Sequence, residues 1–163
     1  MGGMRSLPWI VASAIALAGC AQRGPGSEHA PGAESPAHPS LAEEQRRLAE
    51  LFKGTPVVFE LQKDGSLRVS VPLRYSFDRG RHAVKPPLGA VLERVAKSQR
   101  AEPTRLSVIA PTDPGAKGLL LATERASSAR DYMVARGVQA TRFSIAAAGG
   151  GDVVIVVAEA AAH

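Results

Sequence analysis

The first regular pattern of apolar residues along the chain begins at Ser40. The run Ser40-Leu41-Ala42-Glu43 fits a capping box, in which the Ser and Glu side chains satisfy free backbone donors of the first helical turn. The apolar residues that follow recur at helical spacing, which predicts a short helix within residues 40–55. Its predicted apolar side consists of Leu41, Leu48, Leu51 and Phe52.

A strand pattern follows this helix. Two alternating or β-branched runs, 57–61 and 67–71, flank an Asp64-Gly65 pair, which predicts a β-hairpin. Further on, Pro86-Pro87 precedes apolar residues at helical spacing, and prolines suit the first turn of a helix. The apolar side of this second predicted helix is formed by Leu88, Val91, Leu92 and Val95.

The second half of the chain again alternates between the two patterns. Residues 105–110 predict a strand, 119–136 a long helix that Gly137 ends, and 142–147 and 153–158 two further strands. The order is hairpin, helix, strand, helix, strand, strand. We therefore predict an α+β sandwich with helices packed on a mixed sheet, preceded by a short helix and a hairpin.

The segment before Ser40 has a different composition. Residues 7–18 carry no charge but are too few to span a bilayer, so residues 1–19 predict a signal peptide. The run Leu17-Ala18-Gly19-Cys20 resembles a bacterial lipobox, which implies cleavage before Cys20 and acylation of that residue with diacylglycerol and palmitate. Residues 20–39 form a Pro- and Gly-rich linker, and 159–163 a short tail. The alternative is a secreted protein in which Cys20 is incidental.

Composition excludes several classes of function. The single cysteine among 163 residues excludes a disulfide framework and multi-cysteine metal sites. The four histidines are scattered, and with Cys20 lipidated no nucleophile–base constellation remains, so we predict neither an enzyme nor a cofactor. The net charge of +5 permits acidic partners. Nucleic acid is not among them, since aromatic residues make up only 4% and the export signal directs the chain away from DNA.

Three motifs carry a resemblance to a known family. The first, from Tyr75 to Pro86, contains a Phe-x-x-Gly followed by a Pro-initiated helix. The second is Thr112-Asp113 at a strand end, and the third, 121–126, opens a helix that ends at Gly137-Val138. Together they make residues 56–158 similar to the OmpA-like, peptidoglycan-associated domain. The resemblance implies a βαβαββ sandwich.

The resemblance also implies a partner and a binding site. In the family, an aspartate and the arginine of the following helix hold the diaminopimelate of the peptidoglycan stem. The matching residues are Asp113 and Arg125, with Thr112 as an additional contact. A carboxylate can accept the ligand's ammonium, while a guanidinium can hold its carboxylate through two parallel hydrogen bonds. No bond is broken, so the implied activity is binding.

The implied ligand loop departs from the family pattern. Asp113 and Arg125 are separated by twelve positions, fewer than in the family, and Gly118 and Ala122 stand where the family has Asn and Ser. Ala110-Pro111 replaces the usual Gly-His before the Thr-Asp pair. The residues themselves leave alternatives open. Asp113 could cap the next turn, and Arg125 could pair with Asp113, Glu124 or Asp131.

Two functions are therefore predicted for this chain. The first is an outer-membrane lipoprotein, with its domain in the periplasm, that binds peptidoglycan non-covalently and tethers the membrane to the cell wall. The alternative is a lipoprotein of envelope or secretion-system assembly that uses a degenerate OmpA-like fold for contacts with envelope proteins. The residue after Cys20 is Ala21 rather than Asp, which favours the outer membrane by resemblance to enterobacterial sorting.

Overall fold

The computed structural model describes residues 39–160. The predicted signal peptide 1–19, Cys20, all of the linker 20–39 except Pro39, and residues 161–163 of the tail lie outside this range. None of the helices within 39–160 is both long and apolar enough to cross a bilayer.

The first helix, α1 (Leu41–Leu51), starts with the predicted capping box. The Ser40 side chain accepts from the Glu43 backbone N–H, and the Glu43 carboxylate accepts from the Ser40 N–H. The buried positions are Leu41, Glu44 and Leu48. Leu51, which belongs to the predicted apolar side, is 50% exposed at the C-terminal end of the helix.

The remaining elements follow the predicted order, with two short additions. The hairpin and third helix are β1 (Val58–Leu61), β2 (Leu67–Val71) and α3 (Pro86–Gln99), with an unpredicted four-residue helix α2 (Leu73–Ser76) between β2 and α3. The second half contains β3 (Thr104–Pro111), α4 (Leu120–Val134), β4 (Phe143–Ala148) and β5 (Val153–Glu159). A 3₁₀ turn, Ala140–Arg142, precedes β4.

The five strands form one mixed sheet in the order β1-β2-β5-β3-β4. Only β3 and β4 pair in parallel, because α4 connects them; the other neighbours are antiparallel. Buried residues alternate along the central strands, so one face of the sheet carries the core: Leu67, Val69, Val71, Leu106, Val108, Ala110, Val153, Ile155 and Val157. The predicted α+β class is therefore confirmed.

Helices α3 and α4 cover this face and contact each other. All four apolar residues predicted for the second helix are buried in the core with Ala126, Ala129 and Met133 of α4. Arg142 was predicted to start a strand, but it is the last residue of the 3₁₀ turn, and β4 begins one residue later. The Arg142 guanidinium donates to the carbonyl oxygens of Gln99 and Thr104, both at 2.7 Å, and these bonds hold the turn against the start of β3.

Candidate functional site

The candidate site lies where β3 ends. Thr112 and Asp113 follow the last strand residue, and the chain then forms a loop before α4 begins at Leu120. The segment 77–82, which leaves α2, passes beside this loop. Its Gly80 has a φ of +69°, a left-handed conformation that glycine adopts without steric cost. Residues from all three sequence motifs therefore meet at one end of the sheet.

Arg125 connects the three segments. It projects from α4, is 0% exposed, and donates from Nη2 to Asp113 Oδ1 at 2.6 Å. Its other donors reach the carbonyl oxygens of Asp78 (3.0 Å), Arg81 (2.9 Å) and Pro111 (2.9 Å). The guanidinium carbon also lies 5.3 Å from the centre of the Phe77 ring. Four of its five N–H groups are thus directed at protein acceptors.

Asp113 is held as an ionised carboxylate. Oδ1 accepts from Arg125, and Oδ2 accepts from the Gly80 backbone N–H at 2.6 Å. These hydrogen bonds lower the pKa of Asp113 from its ordinary value, with a smaller contribution from the nearby charge of Arg79. An ionised carboxylate offers about four lone-pair sites, so two protein donors leave it able to accept from a further group.

Asp113 lies in the wall of an open cleft of about 480 Å³. The cleft runs between the end of β3, the short helix α2 and the segment that leads into α3. Its lining among the described residues contains three basic side chains and two acidic ones, Asp78 and Asp113. The described residues that line it are Leu73, Arg74, Phe77, Asp78, Arg79, Lys85, Asp113 and Pro114.

Two of the basic residues in the cleft are engaged by the protein itself. Lys85 Nζ lies 3.0 Å from Asp78 Oδ1 and donates to the Arg74 carbonyl oxygen, also at 3.0 Å. The Arg74 guanidinium lies over the Tyr75 ring, 4.8 Å from its centre. An anionic carboxylate with cationic groups around it suits a ligand that carries an ammonium and a carboxylate.

The three predicted site residues occupy different environments. Asp113 lines the cleft, whereas neither Thr112 nor Arg125 is among the described residues that do so. Thr112 is 2% exposed, and its backbone N–H donates to the Ala148 carbonyl oxygen at 3.0 Å. Of the acidic residues considered for Arg125, the structure places Asp113 beside it. Contact of any of the three with a ligand stays a prediction.

Other arginine and histidine side chains near α4 lie outside the cleft. Arg130 pairs with Asp131 on the surface of α4, and Arg136 lies over the Tyr132 ring at 3.5 Å. His82 is exposed, with Nδ1 3.1 Å from Ser128 Oγ. Within 39–160, no group of three or more His, Cys, Asp or Glu side chains is arranged to hold a metal ion.

Sequence reasoning gave no role to the basic residues of the cleft. Arg79 and Lys85 belong to the first motif and Arg74 directly precedes it, but the sequence around α2 has no periodic signal that predicts how this segment folds. The sequence also could not predict which backbone carbonyl oxygens accept from Arg125, because every residue type supplies the same carbonyl group. Only the loop geometry brings these groups to one place.

The fold has counterparts among solved structures. A periplasmic domain of MotB (residues 64–256) is 18% identical, with 67% of this chain and 71% of that chain covered and a TM-score of 0.56. The cell wall anchor of the T6SS from Pseudomonas aeruginosa is 20% identical, with 76% and 99% covered and a TM-score of 0.58. A putative MotB-like protein from Desulfovibrio vulgaris is 12% identical, with 73% and 91% covered and a TM-score of 0.58.

These likenesses are structural. No family model matches the sequence, and no curated protein sequence is significantly similar to it. At identities of 20% or less, the solved structures bear on the fold alone. They confirm the OmpA-like fold that the three motifs predicted.

Proposed function

We propose that this chain binds peptidoglycan non-covalently through the cleft at Asp113. The observation that carries the proposal is the ionised carboxylate of Asp113, which Arg125 and Gly80 hold at the wall of an open cleft. An ammonium of the diaminopimelate stem residue would donate to this carboxylate. The reaction class is binding without bond cleavage, and no catalytic residue is part of the proposal.

Within this proposal Arg125 positions Asp113. The sequence resemblance implies that the arginine holds the ligand's carboxylate directly. Here, however, Arg125 is fully buried and already donates to four protein oxygens. A ligand carboxylate could reach the guanidinium only if some of these bonds opened. We therefore propose that Arg125 holds Asp113 in position. Thr112 extends the strand pairing at the end of β3 and so fixes the backbone that leads to Asp113.

The solved structures support a role at the cell wall. One of the proteins with this fold is described as the cell wall anchor of a secretion system, and another is a periplasmic domain of MotB. A fold hosts many functions, so the likeness supports the proposal only together with the Asp113 site.

A sedimentation assay with purified sacculi tests this function. We expect the full chain, purified in detergent, to sediment with diaminopimelate-type sacculi, and Asp113→Asn to lose about tenfold or more in affinity, because the variant has no charge for the ammonium. Arg105→Gln is the matched control, since Arg105 is exposed near the opposite end of β3. Circular dichroism checks that each variant is folded. A wild-type chain that stays in the supernatant would refute the proposal.

We further propose that the chain is an outer-membrane lipoprotein anchored through Cys20. The support is the lipobox-like run that ends at the only cysteine, followed by a Pro- and Gly-rich segment. Several acyl chains hold a protein durably on a bilayer. The domain would then reach the cell wall from the periplasmic side of the membrane while the acyl chains stay inserted.

Replacing Cys20 tests the anchor. We expect Cys20→Ala to lose its association with the membrane fraction. Metabolic labelling of the protein with a palmitate analogue should also disappear. The Asp113→Asn variant should keep both the label and the membrane association, since its change lies in the domain. Equal labelling of wild type and Cys20→Ala would contradict lipidation at this residue.

A second function has its own support in the structure. Leu119 and Leu120, at the end of the shortened loop, are 47% and 74% exposed. Exposed apolar side chains beside a loop suit a protein partner. An assembly lipoprotein that contacts envelope proteins is therefore the alternative, and the absence of sacculus binding in the experiment above would favour it.

A further inference from the structure

Arg79 differs from the other basic residues of the cleft. Lys85 and Arg74 have partners within the protein, as described above. Within residues 39–160, the Arg79 side chain makes no hydrogen bond, ion pair or ring contact, and it is exposed in the wall of the cleft. Its charge is nevertheless close enough to Asp113 to contribute to the lowered pKa of that carboxyl group.

The backbone around Arg79 is firmly held. The carbonyl oxygen of Asp78 accepts from both Arg125 and the Arg81 N–H, and the Arg81 carbonyl oxygen accepts from Arg125. The Gly80 N–H donates to Asp113. The position of the Arg79 Cα is thus set relative to Asp113 by contacts on both sides, while its guanidinium pairs with no other residue of the described range 39–160.

We infer that Arg79 determines the ligand specificity of the cleft by pairing with a free carboxylate on the same stem residue whose ammonium Asp113 binds. The inference rests on the proposed peptidoglycan binding. The ligand class is an amino-acid terminus that carries both an ammonium and an unmodified carboxylate, as at the free end of diaminopimelate. A guanidinium pairs with a carboxylate through two charge-assisted hydrogen bonds, whereas a carboxamide has no charge and a single acceptor oxygen.

The preference for a free carboxylate can be measured with two probes. One is a soluble disaccharide tripeptide that ends in meso-diaminopimelate, and the other is the same muropeptide amidated at the free end of that residue. We expect the full chain in detergent to bind the first about tenfold or more tightly by isothermal titration calorimetry. Equal affinity for the two probes would overturn the inference while leaving the proposed function intact.

Variants of Arg79 assign the preference to this residue. We expect Arg79→Gln to weaken binding of the free form about tenfold and to abolish the preference, while Arg79→Lys keeps part of it because the charge remains. Arg105→Gln is the control and should behave as wild type. An unchanged preference in Arg79→Gln would assign the discrimination to another residue and refute the inference. No binding of either probe by wild type would refute both it and the proposed function.

Discussion

Replacing Arg125 with methionine is expected to lower the free energy of unfolding of the domain by about 3–5 kcal/mol. The substitution leaves the Asp113 carboxylate without its ionic partner in a site that is only 12% exposed at the side chain. It also removes one hydrogen bond from each of the carbonyl oxygens of residues 78, 81 and 111, of which the Asp78 oxygen keeps the Arg81 N–H as a donor. A buried polar group that loses its hydrogen-bond partner still has the desolvation penalty of burial. The penalties of the affected groups therefore add to the loss of stability.

Urea unfolding of the full chain in detergent, followed by circular dichroism, measures this effect. Arg130→Met is the matched control, because Arg130 lies on the same helix and pairs with Asp131 on the surface. That change should cost about 1 kcal/mol or less. A cost for Arg125→Met no larger than the cost for the control would contradict the structural role of the buried guanidinium.

A second substitution separates the ion pair from the backbone contacts. Adding Asp113→Asn to Arg125→Met removes the unpaired negative charge, so the double variant should recover part of the lost stability. It should not recover all of it, because the carbonyl oxygens of residues 78, 81 and 111 still lack the hydrogen bonds that Arg125 donates. If Arg125→Met does not fold, Arg125→Lys keeps the charge without the forked donors and is expected to be intermediate.

Replacing Leu48 with alanine is expected to lower the free energy of unfolding by about 2–5 kcal/mol. Leu48 is 0% exposed and belongs to the same core cluster as the strands and α3, although it lies in the helix that precedes the hairpin. Gln45 of this helix also donates to the Phe59 carbonyl oxygen of β1 at 2.9 Å. Loss of Leu48 therefore leaves a cavity between α1 and the sheet.

Leu51 provides the control on the same helix. Its side chain is 50% exposed, so Leu51→Ala should change the free energy of unfolding by about 0.5 kcal/mol or less. Urea unfolding of both variants compares identical chemical changes that differ in burial. Equal effects of the two substitutions would mean that α1 does not share the core of the domain.

The order of the elements could be predicted from local patterns. The strand and helix periods, the hairpin turn at Asp64-Gly65, the prolines at the start of α3 and Gly137 after α4 are local signals, and each corresponds to an element of the structure. The ends of the strands were less well predicted. Strand β3 continues to Pro111 and β5 to Glu159, because cross-strand partners extend the pairing beyond the apolar runs.

The buried residues of α1 coincide only in part with its predicted apolar side. Helical spacing groups Leu41, Leu48 and Leu51 on one broad side, but only the first two of them are buried. Glu44 is instead 2% exposed, and both of its carboxylate oxygens accept from Arg47. Which part of an amphipathic side is covered depends on the neighbouring element and on where the helix ends. Spacing alone does not contain that information.

The candidate site shows the same division between local and tertiary information. Asp113 and Arg125 were predicted from the resemblance of their motifs to the OmpA-like family, with several open partners for the arginine. Their approach to 2.6 Å, and the convergence of the carbonyl oxygens of residues 78, 81 and 111 on one guanidinium, depend on three segments that are distant in sequence. Loop backbone groups carry no residue-specific signal, so this environment was not predictable.

By itself the sequence determined the α+β class and the order of the elements, because periodicity is a local property, and the resemblance of its motifs to the OmpA-like family implied the two charged residues of the candidate site. The tertiary structure decided how those two residues are used. Arg125 is buried against backbone carbonyls, Asp113 faces the cleft, and Arg79 stands beside it with its guanidinium unpaired within residues 39–160. The physical reason is that burial and hydrogen-bond saturation depend on which segments pack around a side chain, and only the folded chain brings those segments together.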